Sequence, residues 1–316
     1  MAEARIDASP AIHRGGRAIF AGWRRHPWGV IGAFLVPALA FYVALTIYPV
    51  LRTLYNSVQQ ILPRGREKYV GFENYAALVG DPTFWKGILN TAIWAFISPI
   101  ADVALGLILA LCLYARVPLR RFFRVAWFTP VLISYVVVAI MWTWIYNYDW
   151  GIVNLGLNAV GLGDWRHSWL GEPRYALGAL IFVDIWKWAG FNMIVCLAAL
   201  HSLPSEVIEA SELDNCGWFA KLFFVIIPMI RSTLVALLVL GVIGKMKVFD
   251  LVWIMTKGGP MWSTETVSTY VYKRAFEWST FDLGYPSAIA TVWFAVMLAL
   301  VITITVALRQ REKLEY

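Results

Sequence analysis

Residues 206–217 read EVIEASELDNCG, placing Glu206, Glu209, Glu212 and Asp214 within nine positions of a chain that is 60% hydrophobic. Over 201–225 Lys221 alone offsets these carboxylates. Leu203-Pro204-Ser205-Glu206 reads as a helix start, with Ser205 as N-cap and an acid in the first turn. Val207, Ala210, Ser211 and Asp214 recur at helical spacing. Asn215-Cys216-Gly217 then stops the helix, because Asn and Gly both tolerate left-handed backbone. A second helix opens at Trp218 and leads to Pro228. Helix, sharp turn and helix form a shape that serves either as a solvated loop or as a knob for a groove on a partner.

The flanking sequence sets the fold class. The chain has 316 residues, of which 15% are charged, against about a quarter in a soluble domain. Its mean hydropathy is +0.64. Apolar residues gather in runs long enough to cross a ~30 Å hydrocarbon layer as helices. The runs are continuous rather than alternating, which selects helices over a closed barrel. The reading is an all-α membrane protein with six transmembrane helices at about 29–50, 88–114, 124–147, 175–200, 226–250 and 286–308. Arg5, Arg14, Arg17, Arg24 and Arg25 precede the first span, Arg116, Arg120, Arg121 and Arg124 join the second to the third, and Arg309, Arg311 and Lys313 follow the last. Six spans put these segments on one side, and their basic bias makes it the cytoplasm. The 51–87 connection also carries basic residues, mixed with Glu67, Glu73 and Asp81, and weakens the bias without reversing it.

Three segments follow: a basic N-terminal segment (1–28), a membrane domain (29–308) and a short tail (309–316), with both termini and the acidic loop cytoplasmic. The first apolar run reaches about Val50, too long for a signal peptide. Residues 11–26 form an interfacial helix or a disordered tail. The net charge of +7 sits beside the spans, where orientation accounts for it, so nucleic acid is not an expected partner. Cys112, Cys196 and Cys216 show no pairing pattern and imply neither a disulfide framework nor a metal site.

The acidic loop resembles that of the inner-membrane permease subunits of binding-protein-dependent ABC importers. There a cytoplasmic loop carries Glu-Ala-Ala, three residues, Gly, nine residues and Ile-x-Leu-Pro. This chain has Glu209-Ala210-Ser211, three residues, Asn215, nine residues and Val225-Ile226-Ile227-Pro228, with Asn in place of the glycine. From about 30 to 308 it is similar to the carbohydrate-uptake branch, that of the maltose and glycerol-phosphate permeases. The similarity runs through Gly71-Phe72-Glu73-Asn74-Tyr75, Asp81-Pro82-x-Phe84-Trp85, Asn90-Thr91, Gly151-x-x-Asn154 and Thr256-Lys257-Gly258-Gly259-Pro260.

The resemblance implies a type I importer permease in a bacterial inner membrane, with the loop at about 203–225 as a coupling helix seated in a cytoplasmic ATPase. Glu206, Glu209, Ala210, Ser211, Asp214, Asn215 and Gly217 would then be the coupling and turn residues. The implied partners are a second homologous permease, two ABC ATPase subunits, a periplasmic solute-binding protein and membrane lipid. In maltose-type permeases the span before the Thr-x-Gly-Gly-Pro turn faces the sugar, and Lys245 and Val248 hold such positions here. A lysine there suits an anionic solute, a uronate oligosaccharide or a phosphate ester such as glycerol phosphate.

Catalytic motifs are missing from the sequence. No G-x-x-x-x-G-K-[ST] loop occurs, and Gly241-Val-Ile-Gly-Lys-Met has the wrong length and no hydroxyl. His13, His26, His167 and His201 are scattered. The expectation is a non-catalytic subunit that binds no cofactor, with ATP and Mg handled by the partner ATPase.

Ionisable residues inside spans are functional candidates by default. Asp102, Asp184, Lys187, Lys245, Lys247 and Asp250 are such residues. Asp184 with Lys187, and Lys247 with Asp250, have the i, i+3 spacing of helix pairs. Lys245 has no acid within a turn and either contacts solute or snorkels to the outer surface. Trp142, Trp144, Tyr146, Trp186 and Trp188 are either sugar-stacking rings or interface anchors. Gly190-Phe191-Asn192 fits close helix packing or solute contact. The rival readings are a self-sufficient secondary transporter, which needs no ATPase, and an assembly or sensory membrane protein with no transport role.

Overall fold

The computed structural model describes residues 27–62, 66–115, 117–278 and 282–312. The segment 11–26, read as an interfacial helix or a disordered tail, and the last residues of the chain lie outside them. The chain divides at Tyr55/Asn56 into two units. In the first, α1 (Pro27–Tyr42) passes through one π-helical turn at Val43–Ile47 into α2 (Tyr48–Asn56). Its apolar stretch, Ile31–Asn56, is long enough to span a membrane. Phe34, Phe41 and Leu45 are exposed, which suits a helix solvated by lipid.

The second unit opens with an antiparallel hairpin, β1 (Gln59–Leu62) against β2 (Arg66–Tyr69), with Gln59 opposite Tyr69. This ribbon is a small exception to the all-α reading. Then come α3 (Glu73–Val79), α4 (Pro82–Tyr114), α5 (Arg120–Leu132), α6 (Tyr135–Ile145), α7 (Ile152–Ala159) and α8 (Pro173–His201). The long helices α4 and α8 both start on proline, whose fixed φ suits the first turn. Asp81 caps α4 by accepting from the amides of Thr83 at 2.9 Å and Phe84 at 3.2 Å. Next are α9 (Ser205–Leu213), α10 (Trp218–Ala220), a π-helical turn at Lys221–Ile226, α11 (Ile227–Met229) and α12 (Arg231–Lys245). The chain ends with α13 (Asp250–Met255), α14 (Val267–Tyr272), another π-helical turn at Lys273–Glu277 and α15 (Gly284–Glu312).

Four helical stretches are long and apolar enough to span: Ile31–Asn56, Pro82–Tyr114, Pro173–His201 and Gly284–Val306. Two bent pairs complete six, α5 with α6 at 104° and α10–α11 with α12 at 69°. The sequence reads each as a single span, at about 124–147 and 226–250, and the structure bends both. Pro130 sits in the last turn of α5 and cannot donate to the helix ladder. Ile133 then turns extended, and Ser134 caps α6. The fifth span ends at Lys245 rather than 250, so the expected Lys247–Asp250 helix pair lacks its helix. The membrane core packs α4, α8 and α12 together around Met193, Leu197, Leu200 and Leu237. Gly190 lets α8 lie against α5: a Cβ there would stand 1.9 Å from the Trp127 carbonyl.

Candidate solute cavity and acidic elbow

Three helices bring the span charges together. Lys245, at the end of α12, places Nζ 2.7 Å from Asp184 Oδ2 on α8 and 3.6 Å from Asp102 Oδ2 on α4. Asp184 and Asp102 are 1% and 2% exposed, and Lys245 is 7%. Asp184 also accepts from Trp94 Nε1 at 2.8 Å, Ser98 Oγ at 2.7 Å and the Tyr135 hydroxyl at 3.1 Å. Asn192 Nδ2 donates to Asp102 at 3.0 Å. A buried charge survives only when paired and hydrogen-bonded, and Asp184 is both. Asp184 lies about 17 Å along α8 from Pro173 at 1.5 Å per residue. Lys245 points inward to this carboxylate from the end of α12.

Lys187 takes a different partner from the one its spacing suggests. Its ammonium donates to the carbonyls of Pro130 at 3.0 Å, Val131 at 3.3 Å and Ile133. These carbonyls close the C-terminal end of α5, where the Ile133 amide also donates to Pro130 O at 3.3 Å and the helix dipole favours a cation. A lysine one helix away thus satisfies the backbone at the break in the third span.

A cavity of about 380 Å³ opens beside the cluster, lined by Asp102, Tyr135, Trp188, Phe191, Asn192 and Lys245 among others. The Lys245 ammonium sits 5.2 Å from the Trp188 ring centre. Trp188 Nε1 donates to the Tyr135 hydroxyl. A smaller cavity of about 90 Å³ continues along Lys245, Asp184, Val248 and Phe249. Of the residues singled out as solute contacts, Lys245 and Asn192 share the larger cavity and Val248 lines the smaller. Trp142 and Trp186 do not line either. They pack edge-on at 5.4 Å, within an aromatic group that includes Tyr146 and Phe182. The sequence did not single out Tyr135. Its signal is its position just after the break that Pro130 and Ser134 impose.

The acidic elbow departs from the sequence reading in its details. Pro204, not Ser205, holds the N-cap position of α9, and Ser205 is the first helical residue. At the other end Asn215 has φ +57°. Its amide donates to Glu212 O at 3.0 Å, and the Cys216 amide donates to Ser211 O at 3.1 Å. This pair of bonds is the Schellman arrangement, with Asn in the left-handed position usually held by glycine. Gly217 has an ordinary φ of −60° and starts α10 instead of making the turn. Lys221 Nζ lies 2.7 Å from Glu212 Oε1 and closes the elbow. Glu206, Glu209, Ala210 and Asp214 are exposed, while Ser211 is buried and donates to Ile208 O at 2.6 Å. Leu213, at 88% exposure, Trp218 and Phe219 also stand open beside the carboxylates.

The short pieces that carried the resemblance prove to be polar anchors. Asn74 Nδ2 donates to Ser57 O and Gln59 O, each at 2.9 Å. Asn90 Nδ2 donates to Glu265 O at 2.9 Å, and Thr91 Oγ1 accepts from the Val267 amide at 3.1 Å. Asn154 accepts from Trp169 Nε1 at 2.9 Å. In the Thr256–Pro260 turn Gly258 has φ +78°, and a Cβ there would lie 2.0 Å from Glu265 Oε2. Glu265 is fully buried and paired with Lys273. Asp81 accepts from the hydroxyls of Tyr270 and Tyr285. Burial pushes its carboxyl up, but these bonds and the two capping amides outweigh that and hold it below the usual range.

Residues 102–313 match the family model described as "Binding-protein-dependent transport system inner membrane component". The chain belongs to that family. Among relatives of the permease, the "Probable ABC transporter permease protein YurN" of Bacillus subtilis (strain 168) is 36% identical, over 84% of this chain and 91% of that one. The sulfoquinovosyl glycerol transport system permease protein SmoG of Agrobacterium fabrum is 32% identical, over 83% and 84%. A solved bacterial ABC transporter involved in the import of the acidic polysaccharide alginate contains a chain that aligns with a TM-score of 0.76 at 23% identity. The match covers 92% of this permease and 98% of that chain. The fold is that of a type I importer permease, multi-pass in the inner membrane.

Proposed function

We propose that this permease carries a carbohydrate through the membrane as a non-catalytic subunit of an ATP-driven importer. It pairs with a second permease, stands above two ATPase subunits that use ATP and Mg, and receives solute from a periplasmic binding protein. Both termini and the elbow are cytoplasmic. Closure of the ATPases pushes on the elbow, through Glu206, Glu209, Asp214 and the turn at Asn215, and the spans rock between inward and outward access. The observation that carries this reading is the elbow itself. A solvated loop has no use for Leu213, Trp218 and Phe219 held open beside four carboxylates, whereas apolar patches with a charged rim mark contact surfaces.

The cavity at Asp102, Asn192 and Lys245 is the solute site on this reading. Its cation is already engaged, tightly by Asp184 and loosely by Asp102. An acidic oligosaccharide, or a phosphorylated polyol, would displace Asp102 at 3.6 Å and keep the pair with Asp184. A neutral sugar would hydrogen-bond to Asp102 and Asn192 as they stand. The relative named for sulfoquinovosyl glycerol and the fold shared with an alginate importer support the acidic solute. Against a secondary transporter stands the break in the third span. Carbonyls at such breaks hold coupling cations in those proteins, and here the Lys187 ammonium occupies them.

The test is ATPase activity of the permease reconstituted with its partner subunits. Adding binding protein loaded with oligouronate or neutral oligosaccharide should raise the rate severalfold. Solute uptake by this chain alone, driven by an ion gradient, would overturn the reading.

A further inference from the structure

Outside the solute cavity a row of aromatic rings remains unassigned. Phe249 and Trp253 lie nearly parallel, 11° apart with centres 5.6 Å from each other. Tyr272, from α14, stands 5.3 Å from Phe249 and 4.6 Å from Trp253. Phe276 follows 5.2 Å beyond Tyr272. The row starts at the charged cluster, since Phe249 lines the small cavity with Asp184 and Lys245. It then becomes more open: Phe249 and Trp253 are half-buried, Tyr272 is 36% exposed and Phe276 is 71% exposed.

The charges beside the row decide what it faces. Lys247, Asp250, Lys257 and Glu277 are all exposed, and the Lys257 ammonium sits 5.8 Å from the Trp253 ring centre. Charged side chains are costly against lipid, so this strip meets water or polar ligand. Nothing in a purely lipid-facing anchor calls for rings in a continuous run toward a buried ion pair. Carbohydrates match the combination: the C–H face of a pyranose packs on a flat ring, while its hydroxyls reach flanking charges. The step between rings is comparable to one sugar unit.

We propose that Phe249, Trp253, Tyr272 and Phe276 form a stacking track that guides pyranose units of an oligosaccharide between the outer mouth and the Lys245 cavity. The track rests on the reading of the protein as a carbohydrate permease and adds a second site to it. Longer oligosaccharides engage more rings, so the track favours them over disaccharides.

The experiment is uptake by proteoliposomes holding the complete complex, with radiolabelled maltotetraose, maltose and tetragalacturonate as probes. Trp253→Leu and Tyr272→Leu keep apolar bulk and remove the ring. Each should raise the KM of the transported tetrasaccharide about fivefold, equivalent to about 1 kcal/mol of lost contact. Tyr272→Phe should restore the wild-type KM, and Phe276→Leu should penalise tetrasaccharide more than maltose. If wild type takes up sugar and the Leu variants match its KM, the track is wrong while the carbohydrate reading stands. If the Leu variants lose the second permease on purification and Tyr272→Phe keeps it, the row is a subunit interface and the proposal is overturned. If wild type takes up no carbohydrate probe, the reading and the track fall together.

Discussion

Asn215 shows how one residue sets the geometry of the elbow. Its backbone is left-handed at φ +57°, a conformation that Asn accepts through its short polar side chain and that most L-residues resist by ~1–2 kcal/mol. Replacement by glycine should leave the elbow intact. Asn215→Val should destabilise the turn by that amount and lower solute-stimulated ATPase activity, without changing the solute affinity of the binding protein. Equal activity in the valine variant would show that the turn is not under tension from a partner. The sequence places the stop within Asn215-Cys216-Gly217 without choosing between Asn and Gly for the left-handed position. The structure assigns the turn to Asn215 alone. Ser211, grouped with the contact residues, is buried and ties α9 to itself. Single-residue roles of this kind depend on backbone torsion and burial, which composition and spacing do not specify.

Among the elements, the charge cluster binds α4, α8 and α12. The six apolar runs were legible because hydrocarbon thickness fixes their length. The partners of the charges were not, because ion pairing across helices depends on rotation and depth that a single strip of sequence does not encode. Spacing paired Asp184 with Lys187, but tertiary packing gives Asp184 to Lys245 and Lys187 to the carbonyls at the α5 break. Removing one member of a buried pair strands its partner and typically costs ~3–5 kcal/mol. Lys245→Met and Asp184→Asn should each destabilise the detergent-solubilised protein by about that much, and the double variant should recover most of the loss, measured by denaturant unfolding as a double-mutant cycle. Additive single losses would mean the two residues do not hold the helices together. The bends in the third and fifth spans were not legible for a related reason. Pro130 and Pro228 lie near the bends, but whether a membrane helix kinks or breaks depends on whether another helix can satisfy the freed carbonyls. Lys187 does so for the third.

The whole molecule was legible where short motifs recur in order. Asn74, Asn90, Thr91 and Asn154 each looked ordinary alone, yet Asn90 and Thr91 tie α4 to the distant backbone at Glu265 and Val267, and Asn74 and Asn154 fix the backbone of nearer segments, so their order carried the architecture. The aromatic row was not legible, because its two i, i+4 pairs, Phe249 with Trp253 and Tyr272 with Phe276, lie on separate elements and meet only where Tyr272 reaches the first pair. On the proposed mechanism the permease is worked from one end, with the elbow as its point of attachment. Cys216 lies exposed at the apex of that elbow and offers a native handle. The decisive measurement is cross-linking from Cys216, in a Cys112→Ala background, within the assembled complex in its membrane. Capture of a nucleotide-hydrolysing subunit, with a yield that changes when ATP is added, is the predicted result. Labelling of Cys216 by a membrane-impermeant maleimide in intact cells, with no such capture, would contradict it.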